Sequence, residues 1–184
     1  MYTLCVTDGK CNSPNSFDSS TRQNYYNDTK YANYPMINVT WDDAVQFCSW
    51  AGSRLPTEAE WEKAARGTDA RTYPWGNTSP SLVLSNFDNK IGDTNMVGSY
   101  PDGKSPYGVL DMAGNVWEWV SDWYGSYRSL PSLNPLGPSS GSLHMLRGGS
   151  WANDENLIRS SYRNKYHGDT AVDRIGFRCA KSMP

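Results

Sequence analysis

The chain has 184 residues, a formal net charge of −2 at pH 7, 8 Trp and 12 Tyr. A chain of this length fits one domain and can bury a hydrophobic core. Acidic and basic residues are interspersed without a long basic run, which argues against nucleic acids and acidic membrane surfaces as partners. No apolar run approaches the roughly 18 residues that cross a bilayer, so no membrane span is predicted. The first residues show no pattern of a signal peptide.

The first third of the chain predicts a long loop followed by a helix. Residues 12–35 are rich in Ser, Asn, Asp and Tyr and lack apolar periodicity, which is typical of a surface loop. Thr40 with Asp43 three residues later resembles a capping box at a helix start. An apolar face follows, and Gly52 predicts the end of this helix.

A second helix is predicted directly afterwards. Thr57 and Glu60 form a capping box after a proline, and Gly67 marks the predicted end. Trp61 and the alanines one turn later form the stripe that we expect to be buried. No later segment shows helical periodicity of useful length.

Beyond Gly67 the sequence predicts short strands and loops. Short apolar runs are broken by Gly, Pro, Asn and Asp, and the strand candidates are Val116–Val120, Met145–Arg147, Ile158–Arg163 and Gly176–Ala180. The segment Tyr124–Ser142 is rich in Ser, Pro, Gly and Leu and predicts a long loop. The pattern by itself predicts a loop-rich α+β fold.

Four cysteines are present in the chain. Cys5 and Cys11 flank a turn-like segment, so a short bridged loop is sterically reasonable. The alternative is that all four are reduced, with at least one buried as a small apolar residue. Zinc is not predicted, because no Cys-x2-Cys unit occurs.

Five motifs follow one another in a fixed order: Arg54–Arg66, Tyr73–Asn77, Tyr107–Trp119, Leu146–Trp151 and Ile175–Cys179. This series resembles the formylglycine-generating enzyme (sulfatase-modifying factor) family from about Tyr2 to Cys179. The resemblance implies one domain over residues 1–184, with a loop-rich C-type-lectin-like fold of two main helices and short antiparallel strands. Family members begin with a further strand, so we expect the chain to lack the family's first N-terminal strand.

The resemblance also bears on redox chemistry. It implies a disulfide between Cys48 and Cys179, and disulfides would favour an extracellular or cell-surface location. The family's oxidases hold Cu(I) on two cysteines just past the Gly-Gly-Ser motif. The corresponding segment Ala152–Ile158 contains no cysteine, and the first position aligns with Asn153. Since Cu(I) prefers sulfur ligands, no copper is expected and the oxidase activity is predicted to be absent.

The two histidines do not suggest another catalytic site. An iron-dependent branch of the family uses a histidine triad from an extra helical domain, whereas this chain has only His144 and His167. No Gly-x-Ser-x-Gly elbow accompanies them, so both are interpreted as loop residues at the surface.

Two calcium sites are implied by the resemblance. The first would use the side chains of Asp111 and Glu118 with the carbonyls of Gly114 and Val116, hard oxygen ligands of the kind that Ca²⁺ takes. The alternative is that Glu118 only satisfies buried backbone groups. The second site would use Asn86, Asp93 and the carbonyls of Phe87 and Asn95, although loops of this composition often bind no metal. Both would be structural rather than catalytic.

A ligand-facing surface is expected between Trp151 and Arg174, the region that faces ligands in lectin-like folds. Its candidate residues are Trp151, Asn153, Asp154, Glu155, Asn156, Tyr162, Asn164, Tyr166 and His167. Tyr and Asn provide contact area and adaptable hydrogen bonds at low entropic cost. The alternative is an ordinary polar loop region.

Three functions follow from these observations. The favoured one is a non-catalytic binding or scaffold domain, of expected bacterial origin, with a protein or glycan ligand. The second is a formylglycine-generating-type oxidoreductase that acts on a protein cysteine. The third is a self-assembling surface or filament protein completed by strand addition from a neighbouring subunit.

Overall fold

Three helices and four short strands form the regular structure in a computed structural model that describes residues 1–127 and 133–182. The helices are α1 (Tyr2–Thr7), α2 (Trp41–Trp50) and α3 (Glu58–Arg66), and the strands are β1 (Trp117–Trp123), β2 (His144–Arg147), β3 (Asn164–Tyr166) and β4 (Ile175–Phe177). Two short 3-10 helices lie at Thr29–Tyr31 and Pro101–Gly103. The loop-rich α+β fold is confirmed. Within the described ranges, each helix is too short and too polar to cross a bilayer.

Both predicted helices begin at the capping boxes found in the sequence. The Thr40 hydroxyl accepts the Asp43 N–H at 3.1 Å, and the Asp43 carboxylate accepts the Thr40 N–H at 2.9 Å. Thr57 and Glu60 make the same reciprocal pair at the start of α3. These contacts satisfy backbone donors that a helix start leaves free. The helix starts were therefore readable from the sequence alone.

The helix α1 was missed by the sequence analysis. It is six residues long and has no side-chain cap, so neither periodicity nor a capping signal marks it. Its buried residues Tyr2 and Cys5 pack with Val39 and Phe47, which belong to the chain leading into α2 and to α2 itself. Tertiary packing rather than propensity therefore accounts for this short helix.

The four strands form one sheet in the order β3-β2-β1-β4. The pairs β1–β2 and β2–β3 are antiparallel as expected. The pair β1–β4 is parallel, with Trp117 opposite Ile175 and Trp119 opposite Phe177, so this one pair departs from the expected antiparallel arrangement. After β3 the chain crosses the sheet and places β4 beside the far edge of β1, and this crossover leaves the two strands parallel.

The predicted strand at Ile158–Arg163 does not form. The backbone of this segment makes turns instead, because the Tyr162 N–H donates to the Arg159 carbonyl and the Ser160 N–H donates to the Thr72 carbonyl. Ile158 is buried, which explains its strand-like apolar character. The strand begins only at Asn164.

The loop predicted at 124–142 has no helix or strand in its described parts, and residues 128–132 of that prediction lie outside the described residues.

The sheet separates two hydrophobic clusters. One contains Trp117, Trp119 and Leu146 with Ala44 and Cys48 of α2. The other contains Val120 and Met145, which alternate along the strands with the residues of the first cluster, together with Trp61 and Ala65 of α3. Successive side chains of a strand point to opposite faces, so α2 covers one face of the sheet and α3 the other. The α3 face also carries the buried charges described below.

Candidate functional site

The segment that follows the Gly-Gly-Ser motif forms a closed turn. The Asn153 side-chain oxygen accepts the Ser150 N–H at 3.0 Å and the Ser150 hydroxyl at 2.7 Å. The Asn153 carbonyl accepts the Asp88 N–H at 2.7 Å. Asn153 is therefore a structural residue, whose oxygen holds the turn at the position where the resemblance places a copper ligand.

All four cysteines of the chain are in disulfides. Cys5 is bonded to Cys11, and Cys48 is bonded to Cys179, as predicted. The chain contains no other cysteine, so no thiol is available as a soft ligand or a nucleophile.

The residues of the first predicted calcium site surround an arginine. The Glu118 carboxylate receives Nε and an Nη of Arg178, each at 2.6 Å, and also the Trp61 indole N–H at 2.6 Å. The same Arg178 donates to the carbonyls of Leu110 and Asp111 at 3.2 and 3.1 Å. The carboxylate that would bind calcium is thus already neutralised by a guanidinium. In this arrangement the first site does not fit a metal ion.

The other carboxylate of that set makes a backbone contact. Asp111 Oδ2 accepts the Gly98 N–H at 2.7 Å, and burial raises the pKa of the Asp111 carboxyl. The Gly114 N–H donates to the Gly148 carbonyl, which joins this turn to the Gly-Gly-Ser motif. Val116, the fourth predicted ligand, packs with Tyr25 and Ile37 in a small hydrophobic cluster.

The second predicted calcium site is mostly satisfied by protein donors. The Asp93 carboxylate accepts from Ser19 and Thr21 and pairs with Arg22 at 3.2 Å. The Asn95 carbonyl accepts the Asn115 side-chain N–H at 3.0 Å.

Two oxygens of that set are less occupied. Among the described residues, the Phe87 carbonyl accepts one long hydrogen bond, of 3.3 Å from the Lys90 N–H. Asn86 Oδ1 is buried and has no hydrogen-bond partner among the described residues. This amide oxygen is the member of the second set that best fits a cation. Across residues 1–127 and 133–182, no group of three or more His, Cys, Asp or Glu side chains comes together as a metal site.

Trp151 does not belong to the predicted ligand surface. It is 6% exposed, and its backbone N–H and carbonyl bond to Asn115 and Asn89. The indole Nε1–H donates to the Asp173 carbonyl at 3.5 Å. The expectation that Trp151 faces a ligand was therefore wrong, because its side chain is buried. Tyr162 is half-buried against Trp117, at 6.0 Å between ring centroids.

The remaining predicted surface residues fall into two segments with different neighbours. Asp154, Glu155 and Asn156 are exposed beside the Tyr73 loop, where the Tyr73 hydroxyl donates to the Glu155 carbonyl at 3.2 Å. In and after the edge strand β3, Asn164 is half-buried, whereas Tyr166 and His167 are exposed. We call the exposed residues Asp154, Glu155, Asn156, Tyr166 and His167 the C-terminal surface.

His144 is buried, contrary to the expectation of a loop residue. Its ring lies between Trp41 and Trp123, with centroids 4.0 and 3.7 Å away, and it pairs across the sheet with Tyr166. Nδ1 has no partner among the described residues, and burial lowers the pKa of His144. Its position in β2 follows from strand pairing, which the local sequence does not reveal.

A network of buried charges on the α3 face was also missed by sequence analysis. Arg147 is fully buried and pairs with Glu62, while Arg163 holds Glu58 through two contacts of 2.6 and 2.7 Å. Their separation along the chain leaves no local signal. The pairing of Arg147 with a carboxylate satisfies the requirement that a buried charge be compensated.

The comparisons with known proteins agree with this fold. Residues 1–183 match the sulfatase-modifying factor enzyme 1-like domain. The chain belongs to this family. It is 37% identical over 165 residues to the formylglycine-generating enzyme of Mus musculus, which covers 81% of this chain and 44% of that protein.

A second relative is a protein kinase. The chain is 40% identical over 158 residues to the serine/threonine-protein kinase pkn1 of Chlamydia pneumoniae, covering 83% of this chain and 25% of that protein. The chain thus spans about a quarter of the length of the kinase and less than half of the length of the mouse enzyme.

Among solved structures, Treponema denticola variable protein 1 has a similar fold. Its TM-score is 0.73 at 22% identity, over 96% of this chain and 79% of that one. Similarity at this level of identity concerns the fold alone.

Proposed function

We propose that this chain is a non-catalytic binding or scaffold domain of the sulfatase-modifying-factor family. The proposal rests on the cysteines, all four of which are in disulfides. At the position where the family's oxidases have a copper ligand, this chain has Asn153, whose side chain caps a turn. Amide oxygen is a poor ligand for Cu(I), and it cannot form a mixed disulfide with a substrate cysteine. The domain therefore lacks the groups that this chemistry needs.

The mouse relative favours an enzyme as the second candidate function. Oxygen consumption measured with Cu(I) and a cysteine-containing peptide distinguishes the two candidates. We expect no consumption above that of copper and peptide alone, with the mouse enzyme as the positive control. Turnover by this chain would overturn the proposal.

The ligand of the domain is proposed to be a protein that contacts the C-terminal surface. Tyr166 is 45% exposed and is followed by the exposed His167, while Asp154–Asn156 form a second exposed segment beside the Tyr73 loop. A rigid aromatic residue among adaptable polar groups is typical of surfaces that recognise proteins.

Self-association by addition of a strand at β3, the edge strand that contains Tyr166, is less favoured. The edge strand β3 has three residues, and the Lys165 N–H is already bonded to the Asn164 side chain at 2.9 Å. A short edge with occupied donors is a poor template for another strand.

Selection of a random peptide library on the immobilised domain tests the protein ligand. Peptides that bind wild type are expected to bind the double variant Tyr166→Ala/His167→Ala at least ten-fold more weakly. Leu82→Ser, at an exposed position outside the C-terminal surface, is the matched control and should bind normally. Equal binding by the double variant would place the ligand elsewhere, and binding of glycans without peptides on arrays would assign a carbohydrate instead.

Calcium remains a prediction of the family resemblance, and the two sets of residues differ in how well they fit it. Arg178 neutralises Glu118, whereas Asn86 Oδ1 is free of donors in the described part of the chain. We therefore expect at most one calcium ion per chain, in the Asn86 loop. Elemental analysis, with calorimetry before and after chelation, measures this, and two ions per chain would show that Arg178 moves aside.

A further inference from the structure

A groove of about 980 Å³ lies between α3 and the described parts of the loop that follows β1. Its α3 wall includes Glu58, Glu62 and Lys63, and its other walls include Asp122, Tyr127 and Leu136. A volume of this size accommodates a small organic molecule or a few residues of a peptide. None of the residues of the C-terminal surface lines it.

Most charges around the groove are already paired with one another. Glu58 is held by two nitrogens of Arg163, and Glu62 pairs with Arg66 at 3.0 Å and with the buried Arg147. Ion pairs of this kind satisfy both partners. These four residues and Arg147 therefore shape the groove but offer no free charge to a ligand.

Asp122 differs from these paired groups. It is 4% exposed, and its Oδ2 accepts the Glu58 N–H at 2.7 Å and the Ser121 hydroxyl at 3.2 Å. No described residue donates to Oδ1, and Asp122 and Gly137 both line the groove. Gly137 packs closely against Oδ1, since a Cβ placed on it would lie 2.8 Å from that oxygen. Burial raises the pKa of the Asp122 carboxyl, as expected for a carboxylate with too few partners. A buried carboxylate thus lines the groove with one oxygen that receives no hydrogen bond from residues 1–127 and 133–182.

The groove also has exposed apolar and aromatic lining residues in the loop that follows β1. Tyr127 is 65% exposed and Leu136 is 73% exposed. The Tyr127 ring lies over the Arg163 guanidinium, 4.1 Å from the ring centroid, and Glu58 holds that guanidinium in place. The aromatic face is therefore positioned before any ligand arrives, which lowers the entropic cost of binding.

We propose that this groove binds a primary ammonium or guanidinium group on an apolar stem. The cation contacts Asp122 Oδ1, and the stem packs on Tyr127 and Leu136. Lys63 also lines the groove, but it is exposed, so its charge is screened by water and salt. The same chemistry is offered by a small amine and by the side chain of Lys or Arg in a peptide.

Benzylamine is the probe that tests the charge requirement, with benzyl alcohol and phenylacetate as matched neutral and anionic compounds. Ligand-observed NMR with the full chain at pH 7 gives the affinities. We expect benzylamine to bind at least ten-fold more tightly than either matched compound. Equal binding of benzylamine and benzyl alcohol would overturn the proposal.

Two variants locate the site. Asp122→Asn keeps an oxygen for the Glu58 N–H but removes the charge, so benzylamine affinity should fall at least ten-fold. Leu136→Ser changes an exposed wall residue and should weaken benzylamine several-fold with an unchanged melting temperature, whereas Leu82→Ser should have no effect. If Asp122→Asn does not fold, Leu136→Ser decides, and an unchanged affinity in that variant contradicts the proposal.

A peptide arm separates the two sources of the cation. Acetyl-Leu-Lys-Leu-amide is compared with acetyl-Leu-Gln-Leu-amide under the same conditions. Binding of the lysine peptide at least ten-fold more tightly than benzylamine assigns a peptide ligand, and weaker binding assigns a small amine. Equal binding of the two peptides and loss of the benzylamine preference together refute the cation site, without bearing on the C-terminal surface.

Discussion

Removing the disulfide between Cys48 and Cys179 is expected to destabilise the protein more than removing the disulfide between Cys5 and Cys11. The bridge joins positions 131 residues apart, whereas Cys5 and Cys11 are 6 apart. Loop-closure entropy at these separations gives about 5 kcal/mol for the long loop and about 2 kcal/mol for the short one at 25 °C. The two bridges in one chain thus provide a test and its own control.

Packing adds to the entropic difference. Cys48 is fully buried in the cluster between α2 and the sheet, so Cys48→Ala also removes a sulfur from the core, at about 1 kcal/mol. For a domain of this size each kcal/mol lowers the melting temperature by about 2–4 °C. The two losses together are about 6 kcal/mol, so the Cys48→Ala/Cys179→Ala variant should melt about 12–24 °C below wild type.

Urea unfolding followed by Trp fluorescence, without reductant, measures both double variants. We expect Cys5→Ala/Cys11→Ala to lose about 2 kcal/mol and the long-loop variant to lose at least twice as much. Because a removed bridge lets the unfolded chain expand, we expect m to rise, more for the long loop than for the short one, and each free energy is therefore taken with the variant's own m-value. The reasoning from loop length is refuted if the two double variants lose equal free energy.

Three further predictions concern charge and capping. The Arg54 guanidinium lowers the pKa of Glu60 to about 2, so its stabilising contribution is complete above the unfolded pKa near 4.3 and is lost as pH falls towards 2. Glu60→Gln should flatten the pH dependence of the melting temperature between pH 5 and 2, and an unchanged acid profile would contradict this. Arg178→Met leaves Glu118 buried without its cation and should cost about 3–5 kcal/mol in urea unfolding, whereas a loss below 1 kcal/mol would show that the pair is dispensable. Asn153→Ala removes both bonds to Ser150 and should cost about 1–3 kcal/mol, with Asn156→Ala at an exposed position as its control.

Local signals in the sequence were sufficient for the two main helices. A capping box involves only four consecutive residues, so Thr40 and Thr57 marked helix starts that the structure has. The prediction of a strand at Ile158–Arg163 was wrong because the structure of this segment depends on contacts with distant residues. Its apolar residues suit a strand as well as a buried turn, and the Thr72 carbonyl that bonds Ser160 lies far away in the chain.

The resemblance carried the disulfide between Cys48 and Cys179, which local pattern could not have paired. The resemblance did not predict which residues form hydrogen bonds and ion pairs with the proposed metal ligands. Glu118 is one residue of a motif, but its neighbour Arg178 comes from a segment 60 residues later. Which cation neutralises a carboxylate depends on such distant partners, and therefore on the folded chain.

The sequence by itself determined the family, the starts of α2 and α3, and the absence of cysteine from Ala152–Ile158, the segment just past the Gly-Gly-Ser motif, because each is a property of consecutive residues. Only the tertiary structure decided that Trp151 and His144 are buried, that β4 runs parallel to β1, and that Asp122 lines a groove. Burial, strand direction and charge pairing arise between segments that are far apart in the chain, and side chains compete for these positions only once the chain has folded.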